Sequence, residues 1–360
     1  MPAGHILRST PPGSNVVNTL FFGIVAGLTA AFFSSVSYLV SRHHGTREKH
    51  ASRRLLIFAH VLMGFICGTA AWSTYSADTL LSDIWHWSIW LPCVVSTGTY
   101  LFGTSAVFRV LTRADASRLS PLLGLKIIAL GLIVSLVFGQ TLSIEQWFAV
   151  MLCAAAAILL QQGGSGLPVQ SLILLSCGCI CFAIADLGIV EMINAIQTRL
   201  PLSRFSAGCL ALLLTYVFIG LIVSPLTLFE YARQPCPTIR DWRAAAEYSA
   251  AWLLAMFGLY ACIGYVGVIL STILQSTRGI MSVILGAILS GQGWHQLESQ
   301  VDRHVLVRRL IAAVCMTTAV ALYVVSNHNS YEIENKRVFF SSPMSDNLMG
   351  IFDAEDVKGE

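Results

Sequence analysis

Ten stretches of about twenty apolar residues recur along this sequence, and no other feature restricts its fold so severely. Each is long enough to cross the hydrocarbon core of a bilayer, about 30 Å thick, as an α-helix. In lipid the backbone has no water to bond with, so a helix, which satisfies its own N–H and C=O groups, is the expected form of every such run. The runs lie near residues 17–40, 54–75, 88–109, 117–139 and 144–162, then near 168–194, 206–228, 248–269, 272–291 and 306–326. Hydrophobic residues make up 55% of the chain and charged residues 11%, where a soluble domain carries about 25% charged residues. The predicted fold class is therefore all-α: a polytopic, multi-pass membrane protein with ten transmembrane helices, expected in the cell membrane.

Segment boundaries follow from the same pattern. Residues 1–16 form an N-terminal segment, 17–162 a first five-helix half, 163–167 a linker and 168–326 a second five-helix half. The tail, 327–360, mixes Glu332, Glu334, Asp346 and Asp353 with Lys336, Arg337 and Lys358, and is expected to be disordered outside the membrane. The first run exceeds a signal-peptide core of about 7–15 residues and has no basic cluster close before it, so it reads as a retained span. Trp85, Trp87 and Trp90 open the third span, Trp147 opens the fifth and Trp294 closes the ninth, as amphipathic rings do at the headgroup level. Gly23 with Gly27, and Gly64 with Gly68, form small-xxx-small pairs that let helices approach closely, here within one bundle.

Charge and motifs exclude several function classes. A net charge of +3 is too mild for nucleic acid, and the basic residues gather in short loops. The loops after spans 1, 3, 7 and 9 hold Arg42, Arg47, Lys49, Arg53 and Arg54, then Arg109, Arg113 and Arg118, then Arg233, Arg240 and Arg243, then Arg303, Arg308 and Arg309. The positive-inside rule puts those loops in the cytoplasm and both termini outside it. Nine of the ten cysteines fall inside apolar runs, where Cys acts as a small hydrophobe, so neither a disulfide framework nor a metal site is predicted. The sequence contains no HExxH, no GxSxG and no Walker A motif, so it reads as neither an enzyme nor an ATP-driven pump, and it implies no cofactor.

An internal repeat joins the two halves. PLLGLKIIALGLIVSLVFGQ, ending at Gly139 and Gln140, lies over ILQSTRGIMSVILGAILSGQ, ending at Gly291 and Gln292, at an offset of 152 residues that sets Lys126 on Arg278. Five spans per half is odd, so the halves would insert with opposite orientations as an inverted repeat. A charge deep in a span costs roughly 2.5–3.5 kcal/mol on insertion scales and is expected to face a cavity rather than lipid. Lys126 and Arg278 are therefore candidate binding residues. Ser271, Gln275, Arg278 and Ser282 recur at steps of four, three and four on one helical stripe, which needs protein or water partners. Ser37 and Tyr38 lie on a polar face of the first span, with Ser34 and Ser41. Asp186, deep in the sixth span, is expected either to pair with a basic group or to carry a proton during coupling. His60 reads as a hydrogen-bonded packing residue.

FRVLTRADASRLSPLLGLKIIALGLIVSLVFGQTLSIEQWFAVMLCAAAAILL resembles the end of an EamA-type half in the drug/metabolite transporter superfamily. In such halves a short loop, a Ser-Pro-Leu lead-in, a small-residue helix, a Gly-Glu turn and a closing helix follow in order. Ser120, Pro121 and Leu122 match the lead-in, and Gly139 with Gln140 stands at the turn, as Gly291 with Gln292 does in the second half. The resemblance covers roughly residues 17–326 and rests on pattern more than on any invariant motif. It implies an inverted-repeat bundle with a central cavity and alternating access, and places both termini in the cytoplasm, opposite to the loop charges. Phosphate translocators of the superfamily set basic residues of helices 4 and 9 against their substrate, so the resemblance implies an anionic small-molecule substrate near Lys126 and Arg278. Membrane lipids and a coupling proton or ion are the other expected partners. An exporter of neutral or cationic drugs or amino acids, and a receptor or scaffold that transports nothing, are the alternatives.

Overall fold

The structure is a computed structural model and describes residues 14–45, 51–76, 82, 84–112, 119–120, 122–126, 129, 143–161, 168–232, 236–292 and 303–340. Among these residues every regular element is helical. The long helices are α1 (Ser14–Gly45), α2 (Ala51–Thr74), α3 (Trp87–Leu111), α4 (Ile144–Gln161), α5 (Val169–Arg199), α6 (Arg204–Tyr231), α7 (Ile239–Ser276), α8 (Arg278–Gly291) and α9 (Arg303–Phe340). Eight helical stretches among the described residues are long and apolar enough to cross a membrane. Most of the run at 117–139, with Gly139 and Gln140, lies outside the described residues, as do Trp294 and the tail beyond Phe340.

The outer surface confirms that lipid is the solvent. Phe65, Leu221 and Leu228 are each about 70% exposed, a waste of apolar area in water but the required arrangement in a bilayer, where the backbone is already satisfied within each helix. Trp85, Trp87 and Trp147 are exposed as well. Inside, small residues let helix axes come close: Ala30, Ala59, Ala207, Ala211 and Ala245 are fully buried. Helices pack chiefly in four pairs, α1 on α7, α2 on α6, α3 on α5 and α4 on α9.

The α2–α6 crossing shows why glycine is needed. A Cβ on Gly64 would stand 2.7 Å from the Cα of Gly220, and a Cβ on Gly220 would stand 2.7 Å from the Cα of Gly64. Two backbones touch there with no side chain that could swing aside. Gly64→Val is expected to force the pair apart and destabilise the fold by about 3 kcal/mol, the upper end for overpacking a well-filled core. A lowered unfolding midpoint in detergent would register it. Gly68→Val should be milder, since a Cβ there meets Val217 at an ordinary 3.6 Å. Gly23 and Gly27 approach Val266 and Leu274 of α7, so both small-xxx-small pairs face helices of this same chain.

Three boundaries differ from the sequence expectation, each for a local reason. α7 begins at Ile239 rather than near 248, because the Asp241 carboxylate accepts the Thr238 N–H at 2.7 Å and starts a polar first turn ahead of the apolar run. The runs at 248–269 and 272–291 have no loop between them: α7 continues to Ser276 and Thr277 alone joins it to α8. The last helix passes residue 326 and ends at Phe340, so the first part of the tail expected to be disordered is helical. That stretch contains neither Gly nor Pro to interrupt a helix.

Candidate functional site

Both intramembrane cations stand at interrupted helices. Around Lys126 the chain turns at Leu123 and Gly124 between helical residues, with Leu123 N–H bonded to Ser120 C=O and Lys126 N–H to Leu123 C=O, each at 3.3 Å. These i→i+3 bonds wind the backbone more tightly than an α-helix and re-aim the side chain that follows. On the other side, Thr277 separates α7 from α8, and Arg278 is the first residue of α8. Hydroxyls hold that junction: Ser35 donates to the Arg278 carbonyl at 3.1 Å, Ser120 to the same carbonyl at 3.5 Å, and Thr317 to the Ser276 carbonyl at 3.3 Å. A carbonyl freed by a break within a membrane must find a donor inside the protein, and Thr317 supplies one to Ser276 at the end of α7, while Ser35 and Ser120 tie the first carbonyl of α8 to their own segments. A broken helix places an N-terminus and its charge in the protein interior, the arrangement by which membrane proteins present positive potential to an anion at mid-depth.

Lys126 is paired. Its Nζ donates to Asp186 Oδ2 at 2.8 Å and to Gln275 Oε1 at 2.5 Å. The lysine side chain is 9% exposed and that of Asp186 31%, so the carboxylate keeps a free edge toward the cavity while the ammonium is enclosed. Arg278 is placed differently. Among the described residues its guanidinium meets no carboxylate; it lies 5.6 Å above the centre of the Tyr38 ring and reaches Tyr38 Oη with Nη1 at 3.5 Å. A ring face fixes the plane of a guanidinium by cation–π attraction yet leaves its edge N–H donors available.

Tyr38, Lys126, Asp186, Gln275 and Arg278 all line one central cavity. Its remaining wall comes from α3, α5, α6 and α7, and includes Tyr100, Phe182, Tyr216, Trp252 and Tyr260. His60 supports this wall from behind. Its Nδ1 is 2.7 Å from the Leu56 carbonyl and its Nε2 is 3.2 Å from Tyr100 Oη. A carbonyl can only accept, so Nδ1 carries the hydrogen, and in the neutral ring Nε2 accepts from the Tyr100 hydroxyl.

Sequence reasoning named Tyr38, Lys126, Asp186, Gln275 and Arg278, and the structure brings these five together. Ser37, Ser271 and Ser282 are buried but outside the described lining. The Ser37 hydroxyl donates to the Ser34 carbonyl of its own helix at 2.8 Å. The aromatic wall was missed. A signal for it existed in principle, since Tyr100 and Tyr216 lie well inside their apolar runs, whereas membrane Tyr and Trp otherwise concentrate at the interfaces.

No family model matches the chain, and no curated protein does either. A solved structure, described only as the crystal structure of a protein, is 13% identical with a TM-score of 0.50, covering 87% of this chain and 98% of that one. At that identity the likeness is one of fold: this all-helical membrane bundle shares its general arrangement with that protein.

Proposed function

We propose that this protein is a secondary transporter of the drug/metabolite type, EamA-like, that carries a small anionic metabolite across the cell membrane. In this reading its ten spans form two inverted five-helix halves that give alternating access to the central cavity. The observation that carries the proposal is the charge balance of that cavity. It is lined by residues of both halves and holds two cations against one carboxylate, with Arg278 the cation that no described carboxylate neutralises. Such a site is costly in a membrane unless an anion occupies it for part of a cycle.

Helix pairing supports the repeat. Exchanging the halves, span 1 for span 6 and onward in order, turns the α1–α7 contact into the α5–α3 contact and returns α2–α6 and α4–α9 to themselves. Close approaches follow the same exchange. Gly103 of α3 abuts Gly178 of α5 and Gly258 of α7 abuts Ala26 of α1, with offsets of 155 and 152 residues between the matching positions.

The Lys126–Asp186 bridge suggests how binding would be coupled to movement. Lys126 belongs to the first half and Asp186 and Gln275 to the second, so the bridge ties the halves across the cavity. An anion drawn to Arg278 competes with Asp186 for Lys126. As Lys126 moves to the substrate the bridge weakens, and Asp186, left facing the cavity, is the residue to carry coupling. Asp186→Asn removes the competitor while keeping the shape. It is expected to bind an anion roughly tenfold more tightly, about 1.4 kcal/mol, to turn over more slowly and to lose the pH dependence of flux. Unchanged flux and pH profile would leave Asp186 with a packing role only.

Reconstitution tests the function itself. Proteoliposomes offered labelled inorganic phosphate, glucose 6-phosphate, lactate and benzoate should show saturable uptake of at least one anion above protein-free vesicles. Uptake at background for all four would count against an anion transporter and favour a receptor or scaffold.

A further inference from the structure

The central cavity has two unlike kinds of lining. One is the charged groups, Lys126, Asp186 and Arg278, with Gln275. From there a strip of rings leads across the wall: Tyr38 is 6.0 Å from Trp252, Trp252 is 6.2 Å from Tyr100, and Tyr100 is 6.3 Å from Phe182, all between ring centres. Met256 and Leu259 of α7 also line it.

Several hydroxyls along this wall are already engaged. Ser96 donates to the Ala185 carbonyl at 3.0 Å and Thr215 to the Ala211 carbonyl at 2.8 Å. Tyr216 Oη accepts from Trp252 Nε1 at 2.6 Å, and the Tyr100 hydroxyl is held by His60. A ligand lying against this strip meets chiefly ring faces and apolar edges. A polyhydroxylated body would lose its water there and find few replacement hydrogen bonds, which is costly. A planar aromatic body would stack.

Charge narrows the choice further. Lys126 and Asp186 pair with one another, so among the described groups one full positive charge, on Arg278, is left for the ligand. A carboxylate matches it with one negative charge and a forked geometry suited to guanidinium. A phosphate monoester carries about −1.5 to −2 at neutral pH and would overcompensate beside Asp186.

We propose that the cavity binds a monoanion with an aromatic body, an aryl monocarboxylate whose carboxylate meets Arg278 while its ring lies along Tyr38, Trp252 and Tyr100. This assignment rests on the cavity being the substrate site of the transporter proposed above, and it can be tested separately from transport.

The experiment is a thermal-unfolding titration of the purified full-length protein in detergent, because a ligand that binds only the folded state raises its stability. The probes are 3-phenylpropionate, 3-cyclohexylpropionate, phenyl phosphate, glucose 6-phosphate and benzyltrimethylammonium. The half-saturating concentration of 3-phenylpropionate should be at least tenfold lower than that of any other probe. Phe182→Leu, a change in the last ring of the strip, should narrow its advantage over the saturated analogue several-fold. The assignment is overturned if glucose 6-phosphate or benzyltrimethylammonium binds as well as 3-phenylpropionate, if the saturated analogue matches it, or if 3-phenylpropionate gives no shift at all. Binding of 3-phenylpropionate without flux in proteoliposomes would support the ligand class and sink transport. Saturable flux of glucose 6-phosphate without selective aryl binding would do the reverse.

Discussion

Replacing Arg278 with Gln is expected to cut the initial rate of anion uptake by roughly a hundredfold, with insertion and folding preserved. Removing one member of a buried, hydrogen-bonded charge pair costs about 2–5 kcal/mol, and about 2.7 kcal/mol is a factor of one hundred. The residue is the cavity's unneutralised cation among the described groups, so without it a bound anion would face Asp186 with only the shared ammonium of Lys126 to hold it. Gln is smaller by two heavy atoms but keeps two donors, so the charge is removed while part of the polar contact stays. Arg278→Lys should retain part of the rate, since the charge survives while the forked donors and the flat contact on Tyr38 do not. Lys126→Gln should lower uptake as far as Arg278→Gln, because it also leaves Asp186 without its partner. Uptake rates normalised to protein in the vesicles would check all three. Wild-type uptake by Arg278→Gln would remove this residue from the site.

The second large effect concerns stability at the basic end of the bundle. Glu230, near the end of α6, is 3% exposed in its side chain and lies between two arginines of the first turn of α2. Its Oε1 accepts from Arg53 Nε at 2.7 Å and its Oε2 from Arg53 Nη2 at 3.1 Å, and Arg54 Nε approaches Oε2 at 3.4 Å. Each charge sits at the unfavourable end of its own helix dipole, a cation at an N-terminus and a carboxylate at a C-terminus, and the pairing offsets both. Glu230→Ala takes away the carboxylate that lies 3.4 Å from the Arg54 guanidinium, also 3% exposed, whose approach to Asp241 is a longer 4.0 Å. Breaking a buried pair from one side costs about 3–5 kcal/mol, and the unfolding midpoint in detergent should fall accordingly. Glu230→Gln should recover part of the loss through its remaining hydrogen bonds. No change in either variant would mean that water solvates Arg54 at this end.

The membrane-spanning helices were legible in the sequence because a bilayer converts length and polarity directly into structure. The charged residues of the site were legible for the same reason: Lys126, Asp186 and Arg278 are expensive in hydrocarbon, so each had to find a partner or a cavity. Hydroxyls carry no such compulsion. Ser37 bonds back to a carbonyl of its own turn, as Ser and Thr do in membrane helices, so a stripe of serines located a protein-facing surface without locating the cavity. The aromatic wall was harder still, because Tyr100, Phe182 and Trp252 converge from three helices with no local pattern to join them. The breaks beside Lys126 and Arg278 left only Gly124 and the pair Ser276–Thr277 as marks, and the second is held by hydroxyls from distant parts of the chain. Hydropathy also locates a helix by its apolar part alone, which is why α7 and α9 outrun their windows with polar turns at one end.

Counterflow tests most directly whether this cavity opens alternately to the two sides and carries an anion. Proteoliposomes loaded with an unlabelled anion that the protein takes up, then diluted into a trace of the same anion labelled, should accumulate label transiently above its equilibrium level. The exchange requires a site that returns loaded, so neither a receptor nor an open pore produces it. The account predicts this overshoot for the wild-type protein and its loss in the Lys126→Gln/Arg278→Gln double variant. Label that merely equilibrates whatever the internal load, or an undiminished overshoot in the double variant, would contradict it.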